Sequence, residues 1–145
     1  MRYHMSKILI LNGPNLNLLG TREPAIYGGL PLEEMMQATR EAFPDVELQH
    51  VQSNSEGELV DAIQAAEGVS TGIVLNAGGY SHTSVALRDA VAAVSVPVVE
   101  VHISNLLARE PFRHTSLVGS VCVGSIMGLG GDGYTLAVQY LLQRG

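Results

Sequence analysis

The amino-acid sequence predicts an α/β fold built on one open parallel β-sheet. Uninterrupted apolar runs, such as residues 7–12 and 72–76, alternate along the chain with segments of helical periodicity. Runs of this kind are typical of strands that are buried on both faces, as they are in a parallel sheet. Five such alternations within 145 residues favour a single domain, residues 1–145, with five parallel strands and helices on both faces of the sheet.

The predicted elements follow one another in a regular order. Apolar runs place five strands at residues 7–12, 46–52, 72–76, 96–102 and 118–123. Helical periodicity places four helices at residues 32–42, 56–66, 84–94 and 134–142. The second helix has a clear start, because Ser55 and Glu58 form the pattern of a capping box. The simplest winding of these elements is the flavodoxin-like one.

The edge formed by the carboxyl ends of the strands is the expected place for a ligand. In open parallel sheets ligands bind there, near the point where the strand order reverses. The edge collects polar side chains after the first, third and fourth strands, namely Asn12, Asn15, Asn76, His82, Glu100, His102 and Ser104. The connection at residues 12–30 is much longer than an ordinary loop of about 2–6 residues. We therefore expect it to be a binding loop or an active-site lid.

Composition limits the classes of partner. Eight Lys and Arg residues against fourteen Asp and Glu residues give a net charge of −6, which disfavours nucleic acid. All the basic residues except Lys7 are Arg, which is suited to forked recognition of a carboxylate or phosphate, so we expect a small anionic ligand. Cys122 is the one cysteine and cannot form an intrachain disulfide. With neither a signal-peptide core nor an apolar run of about 20 residues, we expect a cytoplasmic protein without a membrane partner.

Three other classes of α/β protein fit the motifs less well. Residues 128–133 satisfy the G-x-G-x-x-G pattern, but no further strand and acidic residue follow as dinucleotide binding requires, so a tight glycine turn is favoured. A receiver domain would need clustered acidic residues after the first strand, where Asn12 stands, and a lysine after the fifth, where there is none. A flavin-binding protein would need a hydroxyl-rich phosphate loop and rings for stacking, yet the chain has no Trp.

Glu100 and His102 form a candidate acid–base pair. They lie two positions apart on a predicted strand, so their side chains share a face and the carboxylate can orient the imidazole. Together with His82 they could bind a metal ion, but so scattered a set is a weak signal, and acid–base catalysis is favoured over a metal site. The remaining alternative is a satisfied polar pair at a strand end with no chemical role.

Tyr27 is a candidate base in the long loop. A phenol is mostly protonated at neutral pH, so catalytic use of Tyr27 requires a nearby cation that stabilises the phenolate. Arg22 in the same loop and Arg113 after the fourth strand are candidates for that cation. In a loop of this composition, however, a tyrosine is more often a packing residue. His50 and His114 have no supporting pattern, and we expect both at the surface.

Five blocks of residues resemble the type II 3-dehydroquinate dehydratases. The first is N-G-P-N-L-N-L-L-G-T-R-E-P-A-I-Y-G at residues 12–28. The others are Q-S-N with E-G within residues 52–57, L-N-A-G-G with H-T-S within 75–84, E-V-H-I-S-N at 100–105, and R-E with F-R-H within 109–114. The blocks occur in unbroken order, and the similarity extends from about residue 7 to about residue 142.

The resemblance implies the dehydration of 3-dehydroquinate to 3-dehydroshikimate in the shikimate pathway, with no metal ion, nucleotide or other cofactor and no Schiff base. In this family the tyrosine that matches Tyr27 acts as a tyrosinate base, and the arginine that matches Arg22 stabilises that form. The histidine that matches His102 protonates the leaving hydroxyl group and is oriented by Glu100. The asparagine that matches Asn15 holds a water molecule that steadies the enolate, and the outcome is an anti elimination.

The resemblance also implies how the substrate is held. Side chains and backbone amides contact its polar groups and its carboxylate, the side chains being those of Asn76, His82 and Arg113 and the amides those of Ile103 and Ser104. The residue that matches Asp89 reaches the site of a neighbouring subunit, because the family forms trimers that associate into dodecamers. A flavodoxin-like module that only binds a small anion is the alternative from a different class, and turnover separates the two.

Overall fold

The computed structural model of the chain describes residues 5–144, which include one five-stranded parallel sheet. Its strands are β1 (Lys7–Asn12), β2 (Glu47–Gln52), β3 (Gly72–Asn76), β4 (Val98–His102) and β5 (Gly124–Met127). Their order is β2-β1-β3-β4-β5 and every neighbouring pair is parallel, which confirms the flavodoxin-like winding. Met1–His4, where no targeting signal is expected, lie outside the described residues.

Within residues 5–144 the α-helices are α1 (Pro24–Tyr27), α2 (Leu32–Ala42), α3 (Glu56–Ala66), α4 (Val85–Ala93) and α5 (Asp132–Arg144). The four predicted helices are confirmed to within two residues at either end, and α1 is an additional single turn inside the long loop. At the start of α3, the Glu58 amide donates to Ser55 Oγ at 3.3 Å, as the capping pattern predicts. The Glu58 carboxylate accepts a hydrogen bond from Ser53 Oγ and so does not complete the capping box. None of these helices is long and apolar enough to cross a membrane.

The core lies in two layers, one on each face of the sheet. Successive side chains of a strand point to opposite faces, so Ile8 and Ile10 pack with α2 and α5 while Leu9 and Leu11 pack with α3 and α4. All four side chains are buried. Each such burial contributes about 1.5–3 kcal/mol, so β1 alone ties both helical layers to the sheet.

The predicted fifth strand is wrong. Residues 118–123 form a 3-10 helix, Gly119–Val121, with flanking loop, and the strand begins only at Gly124. Val118 is buried against α3 and α4, so its apolar character reflects packing of a loop and not a strand. The register of β5 places Ser125 opposite Glu100, and the Ser125 hydroxyl donates to that carboxylate at 2.9 Å. The strand thus lies where it satisfies a buried charge, which an apolar pattern cannot indicate.

Two glycine positions shape the carboxyl end of the sheet. A Cβ on Gly13 would lie 2.5 Å from the Ala77 carbonyl oxygen, so the loop after β1 can cross the loop after β3 only with glycine there. Gly128 has φ 86° and its amide donates to the carbonyl of His102, which is consistent with the predicted tight turn. Both contacts hold the strand ends that carry the polar side chains.

Candidate active site

A cavity of about 360 Å³, open to solvent, lies at the carboxyl end of the sheet. It is lined by Leu16, Arg22, Tyr27, Asn76, Gly78, Gly79, His82, His102, Ile103, Ser104, Leu106, Arg109 and Arg113. Eight of the residues predicted from the sequence are among them, and they come from the long loop, from the ends of β3 and β4, and from the segments that follow these strands. The cavity therefore lies at the edge of the sheet where a parallel sheet of this topology is expected to bind its ligand.

Two guanidinium groups lie over the Tyr27 ring. Tyr27 is the last residue of α1 and is buried, while Arg22 Cζ lies 4.6 Å and Arg109 Cζ lies 5.0 Å from the centroid of its ring. Cations over an aromatic ring are attracted by its π-electrons. Two positive charges therefore lie beside the candidate base Tyr27.

His102 is paired with a buried carboxylate. His102 Nε2 lies 3.1 Å from Glu100 Oε2, close enough for an ion pair although the geometry is not that of an aligned hydrogen bond. Ser116 Oγ donates to Glu100 Oε2 at 2.5 Å, and Ser125 Oγ donates to Oε1 at 2.9 Å. Burial alone would raise the pKa of Glu100, but His102 and the two hydroxyl groups outweigh it and lower the pKa below the ordinary glutamic acid value. A permanent negative charge thus lies behind the imidazole.

His82 presents one defined nitrogen to the cavity. Its Nδ1 lies 2.8 Å from the carbonyl oxygen of Thr115, which can only accept, so Nδ1 carries a hydrogen and Nε2 is left for a ligand. The His82 and His102 rings are stacked, with centroids 6.3 Å apart and an angle of 21° between their planes. The two imidazoles therefore line the same wall of the cavity.

The turn after β4 has the features of an anion-binding site. Ile103 and Ser104 are buried, yet the amide of neither has a hydrogen-bond acceptor among the residues that the structure describes. An Arg109 Nη donates to Ser104 Oγ at 3.3 Å, and the largely buried side chain of Arg113 lies beside the same cavity. Unpaired amides next to two guanidinium groups suit a carboxylate.

Three predicted residues do not line the cavity. Glu100 lies behind His102, while Asn15 precedes the lining residue Leu16 and is exposed, with φ 69° and its amide donating to Asn54 Oδ1 at 3.0 Å. Asp89 lies on α4 with its side chain 63% exposed and pairs with Arg88. Within residues 5–144 no group of three His, Cys, Asp or Glu side chains could hold a metal ion.

Sequence reasoning missed Arg109 and misplaced His50. Arg109 belongs to one of the blocks that carry the resemblance, and its type was a signal in a chain whose bases are almost all Arg, but no role was assigned to it. His50 is not a surface residue, since its side chain is 9% exposed and its Nε2 lies 3.0 Å from Asn12 Nδ2. His114 is exposed as predicted, and its Nε2 donates to the Arg109 carbonyl at 2.9 Å.

The fold is that of a flavodoxin-like α/β protein, and its cavity brings a phenol, two imidazoles and three guanidinium groups together at one edge of the sheet. The family model described as dehydroquinase class II matches residues 6–142. The chain is 55% identical over 140 residues to a 3-dehydroquinate dehydratase of Jannaschia sp., covering 95% of each chain. The crystal structure of a type II dehydroquinase from Butyrivibrio crossotus superposes with a TM-score of 0.93 at 46% identity, covering 95% of this chain and 98% of the other. The chain belongs to the class II dehydroquinase family.

A second relative and a second structure agree with this assignment. A 3-dehydroquinate dehydratase of Ruegeria pomeroyi is 55% identical over 139 residues, which is 94% of this chain and 93% of the relative. The type II dehydroquinase of Propionibacterium acnes has a TM-score of 0.91 at 40% identity, covering 97% of this chain and 99% of the other. The similarity therefore extends over nearly the whole length of both partners in each comparison.

Proposed function

We propose that this chain, as one catalytic domain, carries out its family's reaction, the dehydration of 3-dehydroquinate to 3-dehydroshikimate, with Tyr27 as base and His102 as acid. The observation that carries the assignment is that the Tyr27 phenol, flanked by Arg22 and Arg109, and the His102–Glu100 pair line one cavity. An elimination of water needs one group that takes a proton and another that gives one. The Tyr27 phenol and the His102 imidazole are two such groups in one cavity.

The first step is proton removal by Tyr27. The phenolate takes a proton from the carbon next to the ketone, and the electron pair of the broken C–H bond moves onto the carbonyl oxygen to give an enolate. Arg22 and Arg109 stabilise the phenolate before the step. Asn15, the exposed residue before the lining residue Leu16, holds the water molecule that donates to the enolate oxygen.

The second step is loss of the hydroxyl group with the help of His102. The enolate electrons re-form the ketone and make the new carbon–carbon double bond, while the C–O bond breaks and the departing oxygen takes a proton from the imidazolium. The Glu100 carboxylate stabilises that imidazolium and holds the ring in place. Base and acid act from opposite sides of the substrate, which gives an anti elimination.

Binding of the substrate uses the remaining lining groups. The unpaired amides of Ile103 and Ser104 donate hydrogen bonds to the carboxylate, and Arg113 adds a positive charge beside them. Asn76 and His82 bind hydroxyl groups, for which Asn76 offers an N–H and His82 offers Nε2. These contacts hold the substrate between base and acid.

The base is tested by Tyr27→Phe. Removing the ionisable oxygen should lower kcat by about 10²–10⁴-fold while the fold and substrate binding persist. Formation of the conjugated enone product, followed by its ultraviolet absorbance, measures the rate. Tyr140→Phe is the matched control, because Tyr140 is exposed on α5 away from the cavity. Near-normal turnover in Tyr27→Phe would remove Tyr27 from the mechanism.

The same assay separates the proposal from its alternatives. Turnover by the wild-type protein should survive both a chelator and borohydride treatment with substrate, because the mechanism uses no metal ion and no imine. Saturable binding of 3-dehydroquinate without any rise in absorbance would favour the small-anion binding module instead.

Assembly and location complete the proposal. Apolar side chains such as Leu107, Phe112 and Val123 are exposed on the isolated chain, and a dodecamer of four trimers would cover surface of this kind. In it, Asp89 of one subunit reaches the site of a neighbour. Light scattering should then give a mass twelve times that of the 15.4 kDa chain, and a monomeric mass would overturn the assembly. The free Cys122 supports a reducing, cytoplasmic location.

A further inference from the structure

A chain of hydrogen bonds connects the cavity with a histidine outside it. Asn76 Nδ2 donates to the Tyr134 hydroxyl at 2.9 Å, and that hydroxyl donates to Asn12 Oδ1 at 2.5 Å. Asn12 Nδ2 in turn lies 3.0 Å from His50 Nε2. Asn76, Tyr134 and Asn12 are at most 2% exposed. Of the four residues only Asn76 lines the cavity.

The backbone amide of Gly78 fixes the donor-to-acceptor direction of every hydrogen bond in this chain of hydrogen bonds. The amide of Gly78 can only donate and lies 3.2 Å from Asn76 Oδ1, so the other end of the Asn76 amide, Nδ2, must face Tyr134. The Tyr134 oxygen accepts that bond, and its own hydrogen then goes to Asn12, whose Oδ1 must face it. Burial raises the pKa of Tyr134, although the hydrogen bond from Asn76 opposes the shift, so the phenol keeps this hydrogen.

The far end of the chain requires a neutral His50. Because Asn12 Nδ2 faces it, His50 Nε2 must accept, and the ring hydrogen is on Nδ1, which lies 3.8 Å from Glu33 Oε1. Burial lowers the pKa of His50, while Glu33 on α2 opposes the shift and Arg40 on α2 adds to it. The neutral state that the hydrogen bonds require is therefore also favoured by the surroundings.

The chain of hydrogen bonds leaves Asn76 with one free N–H group. Its Oδ1 is occupied by Gly78 and one of its N–H groups by Tyr134, so a single N–H can point into the cavity. We propose that Tyr134 is a positioning residue that, with Asn12 and His50, fixes the Asn76 amide so that an N–H and not the carbonyl oxygen meets the substrate. The inference rests on the proposed function, in which Asn76 binds a substrate hydroxyl.

A double-mutant cycle tests whether Tyr134 acts through Asn76. Tyr134→Phe removes one oxygen and leaves the buried ring, so kcat/KM for 3-dehydroquinate should fall about tenfold, mainly through KM. In the Asn76→Ala background the same change should lower kcat/KM by less than about twofold, since there is no amide left to orient. Equal losses in both backgrounds would show that Tyr134 is merely structural and would overturn the inference.

Controls separate this result from a failure of the proposed function. Tyr140→Phe, on the same helix but 46% exposed, should leave kcat/KM unchanged. If the wild-type protein itself shows no turnover, the proposed function fails. If the wild type turns over and Tyr134→Phe has the wild-type KM, only the positioning role fails.

A second variant tests the far end of this chain of hydrogen bonds, at His50. Protonated His50 has a hydrogen on Nε2 that would meet the NH₂ group of Asn12, and turning Asn12 over would leave the Tyr134 hydroxyl with no acceptor. In His50→Gln an amide oxygen can accept from Asn12 at every pH. The ratio of wild-type KM to His50→Gln KM should therefore rise as the pH is lowered from about 7.5 to about 5.5. A ratio that stays constant over this range would overturn the role of His50 in the chain.

Discussion

At the scale of single residues, the site depends on charges whose partners are supplied by the fold. Glu100 is buried and would be unfavourable without compensation, but His102, Ser116 and Ser125 surround its carboxylate. Ser125 lies on β5, which pairs with β4, and Ser116 lies in the segment between β4 and β5. The carboxylate thus stays ionised beside the imidazole that is proposed to donate a proton.

The role of Glu100 can be tested by Glu100→Gln, which keeps the shape and removes the charge. We expect kcat to fall about 10²-fold with little change in KM, because the imidazolium loses its counter-charge and the ring its orientation. Steady-state kinetics measure kcat and KM separately.

Glu47→Gln is the matched control for this change. Glu47 lies at the start of β2, at the opposite end of the sheet, and forms an exposed ion pair with Lys7 at 3.7 Å. Its removal should not alter kcat. If Glu100→Gln lowered only the melting temperature and left kcat unchanged, Glu100 would be a structural residue.

Some residue-scale features follow from the sequence and others do not. The proximity of Arg22 and Tyr27 is predictable, because five positions within one loop keep them close. The approach of Arg109 to the same ring requires the segment after β4 to fold back across the sheet edge, as it does through the 3-10 helices Leu106–Ala108 and Pro111–Arg113. No local pattern records that path.

At the scale of elements, burial on both faces makes the central strands predictable. Apart from Lys7, Glu100 and the residues at their carboxyl ends, β1, β3 and β4 contain no polar side chain, so their runs stand out. The edge strand β5 is short and carries Ser125, so its pattern is weaker than that of the valine-rich loop before it. The fifth strand is therefore predicted too early in the sequence for two reasons. β5 is at the edge of the sheet, and it contains the polar residue Ser125, which donates to Glu100.

The glycine segment after β5 is an element whose role becomes clear only in three dimensions. The amides of Gly128 and Gly130 donate to the carbonyls of His102 and Ile103. These bonds occupy the carbonyl side of the turn and leave the amides of Ile103 and Ser104 free for a ligand. The G-x-G-x-x-G pattern at residues 128–133, which resembles a nucleotide-binding loop, therefore shapes the proposed carboxylate-binding site.

At the scale of the whole molecule, the buried chain from Asn76 to His50 connects β1, β2, β3 and α5. Its members are Asn76 at the end of β3, Asn12 at the end of β1, His50 on β2 and Tyr134 on α5. The sequence places Asn12 and Asn76 at one edge, because both end parallel strands. It does not indicate that Tyr134 would cross from the last helix to join them, since that contact spans 122 residues.

The hydrogen bonds from Asn76 to His50 also predict how the stability of the folded protein depends on pH. The pKa of His50 is lower in the folded chain than its ordinary value of 6.5, so the unfolded chain takes up the proton first as the pH falls. The stability associated with neutral His50 is complete above about pH 6.5 and is lost as the pH falls through the folded-state pKa. Melting temperatures of the wild type should therefore decrease over this interval more steeply than those of His50→Gln.

The melting temperature of Glu33→Gln should decrease still more steeply than that of the wild type, because Glu33 is the group that raises the pKa of His50. Parallel curves for all three proteins would show that His50 does not couple protonation to folding.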